Sequence, residues 1–446
     1  MQFRWLAAHP NKRKRRSHSA ARYSGSAMIT LAGLLRRNRN YRRLWMGQVV
    51  SEIGDAFNNV AVFALVMEKT GSGLLVSGAM LSRAIPAVAA GPIAGVVLDR
   101  FDRRRIMLAS DLVRAVVALG FILTVHRDRP WLLYALSALL MFASPFFTAG
   151  RAALLPAIAG DEEIHSANSL TQSTSWATLT AGTLLGGWGA DRLGYSAAFV
   201  INSVSFLFSA RAVWRLAAPG GFRAERGGGD GGLEPWREFR EGLAYVAGVP
   251  LVLGIAMISF GWALGGGAAQ ILFALFGTQV FRRGAAGIGD IWGFAGIGLL
   301  AGGAIGHLIG RRTDFAGYKR TVTVSYLAHG VAYMLFSQAR SFGGALAWIL
   351  LSRIGMATTT VLNNTQLLRH TADRFRGRVF ATMEWIRSSV MIVSMAAAGV
   401  ASQYVSPKAI GLVAGSLGVA TALAWAWADG AGKLVEPDSG NRGSRR

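Results

Sequence analysis

Apolar runs of about twenty residues recur along the whole chain, each bounded by charge. A lipid hydrocarbon core of roughly 30 Å takes about 20 apolar residues at about 1.5 Å of rise per helical residue. Windows of that length fall near 45–66, 74–97, 105–125, 131–150, 167–190, 195–216, 247–276, 286–310, 320–339, 344–366, 378–402 and 408–428. The pattern predicts an all-α polytopic membrane protein with twelve transmembrane helices. Hydropathy is weakest in the fifth, seventh and eighth windows, which are rich in Gly. Pro86 and Pro145 interrupt the second and fourth windows, and Gly265, Gly266 and Gly267 remove side chains from the seventh. Such positions mark hinges or close helix contacts.

The connectors are short except at 217–246, where Pro219, Gly220 and Gly221 precede the run Gly227 to Gly229 and a mixed-charge stretch from Glu234 to Glu241. Such a segment cannot stay in hydrocarbon. It divides the chain into a six-helix bundle at 45–216 and a second at 247–428, with a basic tail at 1–44 and a further tail at 429–446. Residues 236–246 read as a surface helix leading into the seventh span. Arg100, Asp102 and Asp161 recur at one offset as Arg312, Asp314 and Asp373, and parallel six-helix repeats are a frequent transporter plan.

Charge refines this picture. The formal net charge is +24 over 446 residues, of which 52% are hydrophobic and only 16% charged. One basic patch would suggest nucleic acid, but Lys and Arg concentrate in the N-terminal tail, the even-numbered connectors and the C-terminal tail. That asymmetry puts both termini in the cytoplasm and argues against a nucleic-acid partner. The run Lys12 to Arg16 is not followed by the apolar stretch of a secretory signal, so it reads as a tail lying on anionic lipid, and Met28 is an alternative start. Zero Cys excludes a disulfide framework and thiolate chemistry. No metal constellation, nucleotide loop or Ser/His/Asp grouping is present, so neither enzyme nor cofactor is expected, and His307 and His329 read as packed residues. A small-molecule substrate and the lipid bilayer are the expected partners of a monomeric protein.

Charges inside the windows each need a partner or a watery cavity, because a charge at mid-bilayer costs at least about 2.5–3.5 kcal/mol. They are Glu52, Asp55, Arg83, Asp111, Arg114, Arg353, Glu384 and Arg387. Acids and bases balance. Asp111 with Arg114, and Glu384 with Arg387, are spaced i,i+3 and can pair on one helix face. Glu52, Asp55 and Asn59 share a face of the first helix that carries no base. Asp55 falls near mid-membrane, where low dielectric and the neighbouring Glu52 work against its ionised form, as a proton carrier requires. A salt bridge from Arg83 would instead make Asp55 structural, and both readings stand.

The connector Gly95-Val96-Val97-Leu98-Asp99-Arg100-Phe101-Asp102-Arg103-Arg104-Arg105 resembles the signature loop of the major facilitator superfamily. The resemblance implies that Gly95 lets the second helix approach the eleventh. It implies further that Asp99, Arg100 and Arg104 form a latch opposite Arg376 and Arg378 when the cytoplasmic side is closed. Arg42-Arg43-Leu44-Trp45, Ser51 with Gly54-Asp55, Thr70-Gly71-Ser72, Asp111 with Arg114, Arg151 with Pro156, Ala167-Asn168-Ser169-Leu170 and Arg376-Gly377-Arg378-Val379-Phe380 are similar to the macrolide-efflux and enterobactin-exporter branch. The antiporter motif of the fifth helix recurs as Gly182-Thr183-Leu184-Leu185-Gly186-Gly187, without its proline.

The resemblance implies two six-helix bundles rocking around a central cavity, exporting an amphiphilic small molecule by alternating access in exchange for protons. Helices 1, 4, 7 and 10 line the cavity in this family, so Asn58, Trp262, Gln270 and Asn363 are cavity contacts by resemblance, with interhelical packing as the other reading of each. An importer, a lipid-moving relative and a non-transporting membrane sensor are the remaining alternatives.

Overall fold

A computed structural model describes residues 31–127, 129–160, 163–217 and 235–437. The basic run Lys12 to Arg16, Met28, Asp161 and the glycine-rich part of the 217–246 connector lie outside the described residues. After a short α1 (Leu31–Arg37) come α2 (Arg39–Thr70), α3 (Gly73–Arg100), α4 (Arg103–Gly120) continued by α5 (Ile122–His126), α6 (Pro130–Ile158), α7 (Ile164–Leu193) and α8 (Tyr195–Trp214). The second set is α9 (Pro235–Gly248), α10 (Pro250–Leu275) with a π-turn at Phe276–Val280, α11 (Gly284–Gly310), α12 (Phe315–Gln338), α13 (Phe342–His370), α14 (Asp373–Ala401) and α15 (Pro407–Gly430). No strand occurs among the described residues.

Ten of the long helices are apolar enough to cross a membrane; α7 and α12 are the two that fall short. The seventh and eighth windows, weak by glycine content, meet the criterion, while the ninth does not. α7 spends its polar face on α2, through Thr171, Thr174, Ser175 and Thr178. α12 is packed between α13 and α15, where Lys319 pairs with Asp429 at 2.5 Å.

Local chemistry sets the ends. Asn38, Ser72, Ser341 and Ser406 cap α2, α3, α13 and α15, each side chain accepting from a backbone N–H three residues on. Asp102 caps α4 and Asp314 caps α12 in the same way, so the repeated aspartates perform one task in both halves. Pro86 and Pro145 sit inside unbroken α3 and α6. α6 runs to Ile158 rather than stopping near 150, because Ala152 to Leu155 continue its apolar run; Arg151 therefore lies on the helix.

Helices α2–α8 pack into one bundle and α10–α15 into another, and the two meet along α7 with α11 and α3 with α14. One apolar core spans both bundles at one end, joining Val60 to Met67, Val76 and Met80 with Ala268 to Phe276, Ile288 and Met395. At the other, arginine-rich end the cores are separate, one around Tyr41, Met107 and Leu154 and one around Leu251, Tyr318 and Leu367. Beyond α15, Leu434 folds back as a buried residue and accepts from Lys319 at 3.3 Å.

Candidate functional site

Acids and bases converge where α2 passes α4, α6 and α7. Glu52 Oε1 accepts from Gln48 at 2.9 Å, from the Ser175 hydroxyl at 2.9 Å and from Arg151 at 3.2 Å, and Oε2 accepts from the Thr178 hydroxyl at 2.5 Å. Gly182 and Gly186 make this possible by letting α7 lie on α2. An added Cβ on either would stand 2.8 Å from Ala56 Cβ or Phe57 Cα. The glycines of the motif thus work as a contact surface without its proline, whose place Thr183 fills while donating to Leu179 O at 2.8 Å.

Asp55, one turn on, is held differently. Arg114 pairs with Asp111 on its own helix and reaches Asp55 only at 3.9 Å. The guanidinium is clamped over the Phe206 and Phe147 rings, 4.4 and 4.7 Å from their centroids. Asp55 Oδ1 is buried with no hydrogen-bond partner among the described residues, as is Arg83 Nη1. Arg83 makes no ion pair with Asp55 within 4 Å among the described residues. Asp55 is the most weakly tied of the three acids in this cluster.

On α14, Glu384 and Arg387 form an i,i+3 pair, with Nε to Oε2 at 2.9 Å. Arg387 lies 5.4 Å over the Trp262 ring, and Trp262 Nε1 donates to Met356 Sδ at 2.7 Å. Arg353 is buried in α13 with no acid in ion-pair range among the described residues. The even balance of acids and bases expected from sequence therefore fails: Arg151 takes Glu52 and leaves Arg353 over. Asn58 is fully buried in α2, and neither end of its amide finds a partner among the described residues. Asn363 accepts from the Tyr318 hydroxyl at 2.8 Å inside the second bundle, and Gln270 is half-buried on α10.

The latch residues are not brought together. α3 and α14 touch at the sealed end, where the Ser77 hydroxyl donates to Met395 O at 2.9 Å. About five turns away on the same two faces lie Gly95 and Gly377, and a Cβ added to either would meet nothing within 4 Å. Asp99 is exposed and makes no ion pair among the described residues. Arg100 is exposed too, Arg104 bonds the Trp214 carbonyl, Arg376 donates to Leu368 O at 2.8 Å, and Arg378 pairs with Glu241 of α9 at 2.6 Å. The seam of α7 and α11 opens the same way: Gly187 meets Gly289 backbone to backbone, while Gly303 further along α11 faces nothing within 4 Å. Sequence reasoning missed Arg151, Gly377 and Glu241 as parts of this machinery. The Arg376-Gly377-Arg378 stretch signalled Gly377 and the match of Arg151 with Pro156 signalled Arg151, without a role for either, and nothing signalled Glu241.

A family model described as the Major Facilitator Superfamily matches residues 44–313. The chain belongs to that superfamily. It is accordingly a multi-pass membrane transporter of small molecules and not an enzyme. It is 27% identical over 395 residues to the uncharacterized MFS-type transporter YfiS of Bacillus subtilis, covering 86% of this chain and 92% of that one. The putative bacilysin exporter BacE of Bacillus subtilis is 25% identical over 346 residues, 77% of this chain and 84% of its own. Macrolide efflux protein A of Streptococcus pyogenes is 31% identical over a shorter stretch, 29% of this chain and 33% of its own. Among solved structures, a bacterial homologue of the iron transporter ferroportin in an inward-facing state superposes with a TM-score of 0.66 at 17% identity, covering 87% of this chain and 98% of that one. A POT family transporter superposes at 0.70 with 8% identity, covering 88% and 96%. These structural likenesses speak for the fold alone.

Proposed function

We propose that this transporter exports an amphiphilic small molecule by alternating access in exchange for protons. Its arginine-rich end and both termini lie in the cytoplasm, and residues 45–216 and 247–428 rock as two bodies joined by the 217–246 connector. The observation that carries the reading is the α3–α14 pair, joined at Ser77 and Met395 and parted at Gly95 and Gly377. Two smooth glycine faces aligned across a gap are suited to close on one another. On closing they would carry Asp99, Arg100 and Arg104 toward Arg376 and Arg378, so the latch would form in one state and break in the other.

Proton coupling falls to Asp55. An acid whose ion-pair partner is already engaged by Asp111 changes its protonation with little loss of structure, whereas Glu52, bonded by four side chains, is a positioning group beside it. Export and an amphiphilic cargo are favoured by the likeness to relatives named as exporters.

The test is substrate-triggered proton release in proteoliposomes holding a pH-sensitive dye. Amphiphiles are chosen first as those that cells with the protein accumulate less than cells without it. Such a compound should release protons in wild type and not in Asp55→Asn. Proton movement undiminished in Asp55→Asn removes the carrier role, and equal accumulation of every amphiphile in both cell lines removes export.

A further inference from the structure

Arg353 stands out among the buried charges because what surrounds it cannot neutralise it. Arg114 and Arg151 each have a carboxylate within 4 Å. Around Arg353 are the Phe273 ring at 5.4 Å, the Tyr333 ring at 5.7 Å and the Met356 sulfur, which accepts from Nη1 at 3.5 Å. Ring faces and a thioether ease a cation's burial but leave its charge in place. The Tyr333 hydroxyl beside it is also buried and has no hydrogen-bond partner among the described residues. Neighbouring polar groups are taken: His329 Nδ1 bonds Ser352, and the Tyr326 hydroxyl donates to Ile258 O at 3.4 Å. Arg353 and Tyr333, a guanidinium and a phenol, thus both line one cavity of about 10 Å³, room for a single water, bounded by Gly261 and Gly265 of α10 and Gly418 of α15, so an anion enters there only as neighbouring side chains move aside.

The same site lies one layer behind the opening between the bundles. Glu384 lies on the stripe of α14 that carries Met395 about three turns on, the stripe turned toward α3. Its partner Arg387 lies over Trp262, and Trp262 and Arg353 share Met356 as acceptor. Trp262 and the flexible Met356 thus link Arg353 to Arg387 on that face. Both are side chains suited to the apolar body of an amphiphile.

We propose that Arg353 and the Tyr333 hydroxyl form an anion subsite that takes a carboxylate of the transported molecule, with Trp262 and Met356 holding the apolar part next to it. The substrate class is therefore an amphiphilic acid. This rests on the transporter reading above but not on the direction of transport or on protons, so the two succeed or fail separately.

Equilibrium binding to the full-length protein in nanodiscs tests it, with dansylundecanoic acid and its methyl ester as a matched pair read by fluorescence titration. Wild type should bind the acid about tenfold or more tighter than the ester, the range expected of a charge-assisted bond. Arg353→Gln should abolish that preference while leaving ester binding nearly unchanged. Tyr333→Phe, which deletes only the unpartnered hydroxyl, should weaken acid binding severalfold, and Asp55→Asn should keep the preference whether or not transport survives. Equal titration of acid and ester by wild type, including no binding of either, overturns the proposal, as does a preference that persists in Arg353→Gln. Exchange of chloride for gluconate is the remaining arm. An Arg353-dependent response to chloride without an acid preference would mean that the site holds an inorganic ion, and the substrate assignment would fall.

Discussion

Arg378 of α14 is held by Glu241 of α9 at 2.6 Å, while the residue before it, Gly377, looks into the gap that separates α14 from Gly95 of α3. α9 is fitted closely to this stretch. A Cβ added to Gly242 would lie 2.9 Å from Arg378 O, the Phe239 and Trp385 rings stack edge-on at 5.0 Å, and Tyr245 meets Phe375 at 5.0 Å. Arg378 thus has a carboxylate partner from its own half, which the proposed closure of α3 on α14 would have to exchange for Asp99.

Glu241→Gln should therefore favour closure. The pair is more than a third exposed on both sides, so its loss is worth only about 0.2–1 kcal/mol, or roughly a one-and-a-half- to fivefold shift in the open-to-closed ratio. The chain has no native Cys, so Ala381→Cys gives a clean reporter. Its labelling rate by a membrane-impermeant maleimide, which follows the open fraction, should drop by up to that factor in the Glu241→Gln background. An unchanged rate would mean that α9 does not bias the equilibrium.

The Glu52–Arg151 contact predicts a coupling. Glu52→Ala strands a half-buried guanidinium, and Arg151→Ala leaves a carboxylate that still has three other donors. The first should lower stability by about 1–3 kcal/mol and the second by less. Adding Arg151→Ala to Glu52→Ala should recover part of the loss, as thermal unfolding of the four proteins in detergent would record. Strict additivity would place the two side chains in separate environments.

Glycines at the two kinds of helix contact should respond oppositely. Gly187 meets Gly289 Cα with a would-be Cβ only 2.7 Å away, so Gly187→Val should cost about 1–3 kcal/mol of stability in any state that keeps this seam. A Cβ at Gly377 meets nothing within 4 Å, so Gly377→Leu should leave the unfolding temperature near that of wild type while abolishing transport. A Gly377→Leu protein that transports normally would show that this face never closes.

Much of this was legible in the chain because lipid imposes a simple rule: backbone must be helical and greasy to cross. The helices, the recurrence of Asp102 as Asp314, and the pairing spacing of Asp111 with Arg114 all follow from local pattern. Helix partners do not. Arg151 looked like a connector residue because hydropathy falls at its own charge, and its ion-pair partner Glu52 lies on another helix, out of reach of local pattern. Asn58 and Asn363 sit on helices that face a cavity in this family, yet the rotation of each helix, set by glycines such as Gly54 and Gly355, turns both amides into their bundles. Glu241 was read only as part of a charged surface helix, since nothing in its neighbourhood along the chain points to Arg378.

The exchange between two arrangements of α3 and α14 is tested most directly by pulsed electron spin resonance on labels at Val96→Cys and Ala381→Cys in nanodiscs, compared with and without a bound transported amphiphile. Two distance populations should be present, a long one matching the parted helices and a shorter one, with their ratio moved by the ligand and by Glu241→Gln. A single distance, unmoved by either, would contradict alternating access at this end of the molecule.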